Sequence, residues 1–283
     1  MSGARPARDE ESLRNFLIAK AIYGKYASAL PWYDSIWLRS YLTAIRIIER
    51  VRPKLLPEFI EAFAALRTRP DFSATKIDRV FDDAVMQQIH ATIKSLPPKM
   101  YESHEVESFG RLIVHNHAYF NDLHKTVVPL VSEIAGEAVE PSYNFLSLYT
   151  RMGVCEPHMD EPTAKWTLDI CIDQSDVWPI HFSQIVPWPE TQSFCDADWQ
   201  AQIKRSPNLK FTSLNLRPGE AVVFSGSSQW HYRDRMQATG DADFCNLLFF
   251  HFFPAGFSKI IEPKHWAATF DLPELADIAA DQP

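Results

Sequence analysis

Cysteine is scarce and dispersed: Cys155, Cys171, Cys195 and Cys245 form no C-x-x-C pair, which excludes a zinc ribbon or a dithiol redox motif. Read as free thiols, they suit a reducing compartment. Positive charge is not in excess either. The 28 Lys and Arg against 36 Asp and Glu leave a net charge of -8, opposite to the basic surface that non-specific nucleic-acid binding needs. No window approaches the ~18 apolar residues of a membrane span, and Met-Ser-Gly-Ala-Arg-Pro at the start lacks the apolar run of a signal peptide. No internal repeat is present. These absences predict a soluble cytoplasmic protein with neither nucleic acid nor membrane as partner. What is there describes a folded globule, with 46% hydrophobic and 13% aromatic residues. The 283 residues suffice for one large domain or two small ones around a sizeable core.

Residues up to about 70 read as helical. Ser12 can cap a helix through Phe16, Leu17, Ala19 and Ile22, broken by Pro31. A second helix starts near Tyr33, carries Ile36, Trp37, Tyr41, Ile45 and Ile48, and is interrupted near Pro53. A third runs from Pro57 through Phe59, Phe63 and Leu66 and stops at Pro70. These apolar stripes suit a core, or the surface of a homodimer formed through the N-terminal helices.

From Lys76 the pattern changes. Residues 76–81 alternate like a strand, and Asp82 or Asp83 caps a helix through Val85, Ile89 and Ile93 to Pro97. Residues 109–117 read as a strand, with Arg111, His115 and His117 on one face, and a helix runs from about Asn121 to Gly136. Strands are then predicted over 143–149, 165–172, 179–185, 211–216, 221–224 and 244–253. Helices first and many short strands afterwards suggest a β-barrel or sandwich packed by N-terminal helices. Residues 187–208 read as a long loop or lid.

One stretch carries chemistry. In Tyr149-Thr-Arg-Met-Gly-Val-Cys-Glu-Pro-His-Met-Asp160, His158 and Asp160 sit two apart, so on an extended segment both side chains leave the same side. An imidazole and a carboxylate projecting together can occupy adjacent positions on one metal ion. A third ligand, His231, comes after the strand-like Ala221-Val-Val-Phe224. Two histidines and one carboxylate form the facial triad of non-haem Fe(II) oxygenases, which leaves coordination positions open.

In order along the chain, Tyr149, His158-Met-Asp160, the strand Trp166–Ile172, Leu216-Arg-Pro-Gly-Glu-Ala-Val-Val-Phe224, His231-Tyr-Arg233 and the strand from Leu247 form one pattern. That pattern resembles the Fe(II)/2-oxoglutarate-dependent dioxygenases of the prolyl-hydroxylase-like type. The resemblance covers about residues 76–257, and Gly153 is displaced from the family's position. It implies an α+β chain with a mainly β core, a double-stranded β-helix or jelly roll, packed by N-terminal helices. The implied division is a helical extension over 1–75, the oxygenase domain over 76–257 and a tail over 258–283. It also implies Fe(II), 2-oxoglutarate and O2 as cofactor and cosubstrates, with His158, Asp160 and His231 as both metal ligands and catalytic centre.

In that family the far carboxylate of 2-oxoglutarate must be neutralised inside the barrel, usually by an arginine fork. The arginine often found about ten residues after the distal histidine is absent here, where Asp241 to Cys245 offers none. Arg233 is therefore assigned to that carboxylate with Tyr149 assisting, and Arg235 is the nearby alternative. On the strand after the metal pair, Thr167, Asp169 and Cys171 share one face and Trp166, Leu168, Ile170 and Ile172 the other. Asp169 is then a barrel-interior carboxylate or an edge residue. His251, in Phe-Phe-His-Phe-Phe, reads as a satisfied core histidine.

The expected activity is oxidation of a C–H bond of a small polar metabolite, such as an amino acid or natural-product intermediate, coupled to formation of succinate and CO2. Asp169 would receive an ammonium, Arg111, His115 or His117 a carboxylate, and the 187–199 loop would close over both. With Asp160 in the position that halogenases of the superfamily leave to Gly or Ala, halogenation is not expected. The alternatives are a non-enzymatic cupin-like binding protein and a protein hydroxylase or demethylase with an open peptide groove.

Overall fold

A computed structural model of the chain describes residues 36–188, 199–237 and 239–278. The helix expected from Ser12 and the middle of the 187–208 loop lie outside them. Ten strands are described: β1 (Thr75–Ile77), β2 (Arg111–His115), β3 (Val139–Thr150), β4 (Cys155–His158), β5 (Trp166–Gln174), β6 (Ile180–Phe182), β7 (Thr212–Leu214), β8 (Ala221–Ser225), β9 (His231–Arg233) and β10 (Phe244–Pro254). They form a six-stranded sheet in the order β1-β8-β5-β10-β3-β2 and a four-stranded sheet in the order β4-β9-β6-β7. All pairings are antiparallel. From β3 onward the chain passes back and forth between the sheets, an order that a jelly roll produces.

The larger sheet is buried on both faces, which explains why β5 and β10 read as nearly unbroken apolar runs. Trp166, Leu168, Ile170 and Ile172 of β5 and Leu248, Phe250 and Phe252 of β10 face outward into a core roofed by helices. Those helices are α1 (Asp83–Ser95), α2 (Ala118–Thr126) and α3 (Val128–Ala135), which contribute Ile89, Phe120, Leu123, Val131 and Ala135. The Asp82 carboxylate accepts from the Val85 N–H at 2.8 Å and caps α1. The single helix expected over 121–136 is two, because Pro129 brings no N–H to the first turn of α3 and the chain breaks at Val127. The expected strand over 76–81 is confined to the short β1.

A further core joins both ends of the chain. Helix α4 (Ile36–Val51) lays Trp37, Leu38, Tyr41, Leu42 and Ile48 against Phe59 and Phe63 of the next helical segment and against Ile261, Trp266, Leu272 and Leu275 near the C-terminus. The apolar stripe of α4 is therefore covered within the chain. The Trp37 indole N–H donates to the Ile261 carbonyl at 2.7 Å and satisfies the one polar atom that burial would strand. Trp188, from the expected lid, packs into this core beside Trp37 and Tyr41 and is not part of the cavity lining. No described helix is long and apolar enough to cross a membrane.

The space between the sheets is a mixed interior. Its closed end is filled by Cys171, Trp178, Phe182, Val222, Cys245 and Leu247. Its open end is a cavity of about 360 Å³.

Candidate metal centre and its cavity

The smaller sheet pairs His158 at the end of β4 with His231 at the start of β9. Their rings lie 4.2 Å apart, centroid to centroid. Asp160, just beyond β4, donates its N–H to the Gly226 carbonyl at 2.8 Å. This anchor brings Asp160 Oδ1 to 3.6 Å from His158 Nε2 and 3.7 Å from His231 Nε2. The ligand atoms of His158, Asp160 and His231 all lie within 4.8 Å of one another.

Local structure prepares these atoms for a metal. The Nδ1 of His158 meets the Glu156 carbonyl at 2.8 Å, and that of His231 meets the Gln229 carbonyl at 3.0 Å. A carbonyl only accepts, so each Nδ1 carries the proton and each Nε2 presents its lone pair to the shared point. Burial, and then the neighbouring His158, push the His231 imidazole well below the usual histidine range, which keeps it neutral. Asp160 divides its oxygens: Oδ1 faces the histidines, and Oδ2 accepts from the Thr167 hydroxyl at 3.4 Å. Burial pushes the Asp160 carboxyl up, against the pull of His158 and Thr167. Gly226 must be glycine here, because a Cβ would overlap the Asp160 carboxylate and the Ala164 carbonyl oxygen. Two imidazole nitrogens and one carboxylate oxygen on one wall of a cavity fit a divalent metal of the Fe(II) type with positions left open.

The other assigned residues divide along the cavity. Arg233 is buried; its guanidinium lies 2.7 Å from Asp169 and also donates to the Trp178 carbonyl. Burial opposes the guanidinium charge, but Asp169, with Cys245 and Tyr149, more than offsets it, and Arg233 stays charged. Tyr149 packs edge-on against Trp178, and its hydroxyl accepts from Arg111 Nη1 at 2.7 Å. Arg111 is held in turn by Glu105 at 2.5 Å. Arg111, Tyr149, Arg233 and Cys155 thus border one end of the cavity. Burial pushes the Cys155 thiol up to about 11, so it stays protonated near neutral pH. Arg235 is exposed on the outside and reaches the Met152 carbonyl at 3.3 Å.

Two of the substrate candidates, Asp169 and His117, lie off the cavity, and Arg111 and His115 line it. Asp169 is a barrel-interior carboxylate, but it does not line the cavity, and its partner is Arg233, not an ammonium. A buried carboxylate takes the nearest cation. Arg111 sits at the Tyr149 end with its charge met by Glu105. His117 lies off the cavity. The strand stops at His115, Asn116 turns the chain with φ 48°, and His117 becomes the residue preceding α2. His115 does line the cavity, with Glu102 at 2.9 Å from its Nδ1.

Sequence reasoning passed over Thr167 as the support of Asp160, Glu105 as the partner of Arg111, and the rings of Tyr143, Phe145 and Phe249 on the cavity wall. Thr167 was legible, since it shares the inward face of β5 with Asp169. Glu105 left no signal, because it precedes a single short turn, Val106–Phe109, and belongs to no periodic element.

No family model matches the sequence, and no curated protein sequence matches it significantly. Solved structures do match. The chain shares its fold with solved structures of non-haem α-ketoglutarate-dependent enzymes. The non-haem α-ketoglutarate-dependent carbocyclase SnoK from nogalamycin biosynthesis aligns over 68% of this chain and 83% of its own, with a TM-score of 0.53 and 13% identity. The epimerase SnoN, in complex with Fe3+, α-ketoglutarate and nogalamycin RO, aligns over 72% of this chain and 85% of its own, with a TM-score of 0.50 and 11% identity.

Proposed function

We propose that the protein is a non-haem Fe(II) oxygenase that uses 2-oxoglutarate and O2 to oxidise a C–H bond of a small molecule. One observation carries the reading: two Nε2 lone pairs and one carboxylate oxygen converge on the wall of a cavity with two arginines and a tyrosine at one end. The likeness of the fold to SnoK and SnoN supports it.

His158, Asp160 and His231 would hold the iron, which with 2-oxoglutarate and O2 supplies the oxidising power for the C–H bond. The remaining work belongs to the chain. The Glu156 and Gln229 carbonyls hold both imidazoles in the tautomer that a metal needs. Thr167 and the Gly226 carbonyl aim the Asp160 carboxylate. Arg233, with Tyr149 and now Arg111, would receive the far carboxylate of 2-oxoglutarate; the cationic charge of both arginines is already balanced by Asp169 and Glu105. The carboxylate is then selected by fixed donors more than by net charge. The enclosing aromatic walls keep water away from the reacting centre. Because Asp160 occupies the ligand position, hydroxylation or a related oxidation is the outcome, not halogenation.

Release of succinate from 2-oxoglutarate by the Fe(II)-loaded protein under air tests the proposal. Native protein should release it, and alanine at His158, Asp160 or His231 should abolish it. Unchanged iron content and full turnover in Asp160→Ala would overturn the assignment.

A further inference from the structure

The strand register orders the inward-facing residues along the cavity. Asp169 stands opposite Phe249, and Thr167 opposite His251, on β5 and β10. Arg233 touches Asp169, whereas the metal ligand Asp160 touches Thr167. Asp169 and Phe249 therefore mark the arginine end, and Thr167 and His251, with Tyr143 stacked on His251, stand level with the ligand Asp160. With 2-oxoglutarate held at the arginine end, an assignment that rests on the proposed oxygenase function, the Tyr143–His251 level is left to the substrate.

The wall from that level toward the arginines is tiled with rings, and Phe145 reaches the Arg111 guanidinium at 5.3 Å. Tyr143, Phe145, Phe249 and His251 line the cavity from adjacent strands. Their contacts have centroid distances of 4.3–6.3 Å and interplanar angles of 5–28°. Such a wall is rigid and apolar, and it suits a ring-bearing partner. It contains one polar atom that the fold leaves unmet. His251 is 3% exposed, and its Nε2 has no hydrogen-bond partner. Asn144, Asp169 and His117 also have a buried side-chain atom without a partner, but none of them lines the cavity.

The tautomer of His251 is set by its other nitrogen. A metal-ligating carboxylate is ionised and only accepts, so the Thr167 hydroxyl spends its one proton on Asp160 Oδ2. The Thr167 oxygen must then accept from His251 Nδ1, 3.0 Å away. His251 Nε2 is left with a bare, buried lone pair on a residue that lines the cavity. A buried acceptor of this kind calls for a donor.

We propose that His251 is a substrate-recognition residue whose Nε2 accepts a hydrogen bond from a hydroxyl or N–H on a ring-bearing substrate seated against Tyr143. Substrates of this class are discriminated from their O-methylated or deoxy counterparts, because those leave the Nε2 lone pair unmet.

The test uses the full chain, with and without Zn(II) and without 2-oxoglutarate, so no turnover is involved. Binding of 2-naphthol and of 2-methoxynaphthalene is measured by fluorescence titration. The native protein should bind 2-naphthol at least tenfold tighter, and His251→Phe should abolish the preference. His251→Asn and Thr167→Val, each checked for native circular dichroism, serve if the phenylalanine variant does not fold; both should also lose it. Nitrogen-15 NMR of the native protein should show one imidazole, absent from the His251 variant's spectrum, with a protonated Nδ1 and a bare Nε2. Equal binding of the two probes to native protein, a preference that survives His251 replacement, or an Nε2–H tautomer would overturn the proposal. Failure of the oxygenase reading would show separately, as absence of Zn(II) binding with the probe preference intact.

Discussion

Replacing Arg233 with leucine leaves the Asp169 carboxylate, 0% exposed, without the guanidinium 2.7 Å away that compensates its burial. Breaking one side of a buried pair costs about 3–5 kcal/mol, because the remaining charge is stranded in a poorly polarisable interior. In a chain of this size each kcal/mol lowers the melting temperature by about 2 °C, so Arg233→Leu should melt about 5–10 °C below native. The Trp178 carbonyl also loses its donor, which pushes the value toward the upper part of that range. The double variant Arg233→Leu/Asp169→Leu strands neither charge and should recover most of the loss, to within about 2 kcal/mol of native. Thermal and urea unfolding of the four proteins of this cycle make the measurement. The double variant also separates structure from function. Its stability should return while its requirement for 2-oxoglutarate stays raised at least tens-fold, because the fork assigned to the far carboxylate is still missing. A loss below about 1 kcal/mol in Arg233→Leu, or a double variant no better than the single, would refute the reasoning.

Arg111→Met should likewise raise the 2-oxoglutarate concentration needed for half-maximal succinate release at least about tenfold, by removal of a charge-assisted donor. Arg235→Ala, on the exposed surface, should leave it unchanged. Gly226→Ala drives a Cβ into the Asp160 carboxylate, and Fe(II) affinity measured by competition with a chelator should fall about 10–100-fold. His124 tests burial through pH. Burial lowers its pKa to about 4, against a carbonyl contact from His251 that raises it. The unfolded chain takes up this proton near pH 6.5 and the folded one only near 4, so the contribution is present above 6.5. It is lost as pH falls toward 4, by up to about 3 kcal/mol. In His124→Gln, urea unfolding across that interval should lose this part of the slope.

The convergence of His158 and Asp160 was legible because strand alternation is local: two residues apart on an extended segment means one side, whatever the rest of the chain does. The same rule placed Thr167, Asp169 and Cys171 on the inward face of β5 and the apolar residues between them under the helices. The partner of each inward residue was not legible. Asp169 meets Arg233, and not a ligand, because β5 and β9 face each other across the interior, a relation set by how the sheets close and not by either strand's sequence. His117 was misplaced for a local reason, since Asn116 adopts a left-handed conformation that alternation cannot reveal. His251 read as a satisfied core histidine. It is buried as expected, but only one of its nitrogens has found a partner. The covering of α4 by residues from the far end of the chain was also beyond any windowed reading.

The most direct test of the metal and cosubstrate at this site is an anaerobic titration of the apo-protein with Fe(II) and then 2-oxoglutarate, monitored by visible absorption. Chelation of iron by the keto acid should produce a charge-transfer band that neither component gives alone. The band should be missing from His158→Ala, Asp160→Ala and His231→Ala, and in Arg233→Leu/Asp169→Leu it should require a higher 2-oxoglutarate concentration. No band in the native protein at saturating iron and 2-oxoglutarate, or an undiminished band in the Asp160 and His231 variants, would contradict the assignment of this cavity.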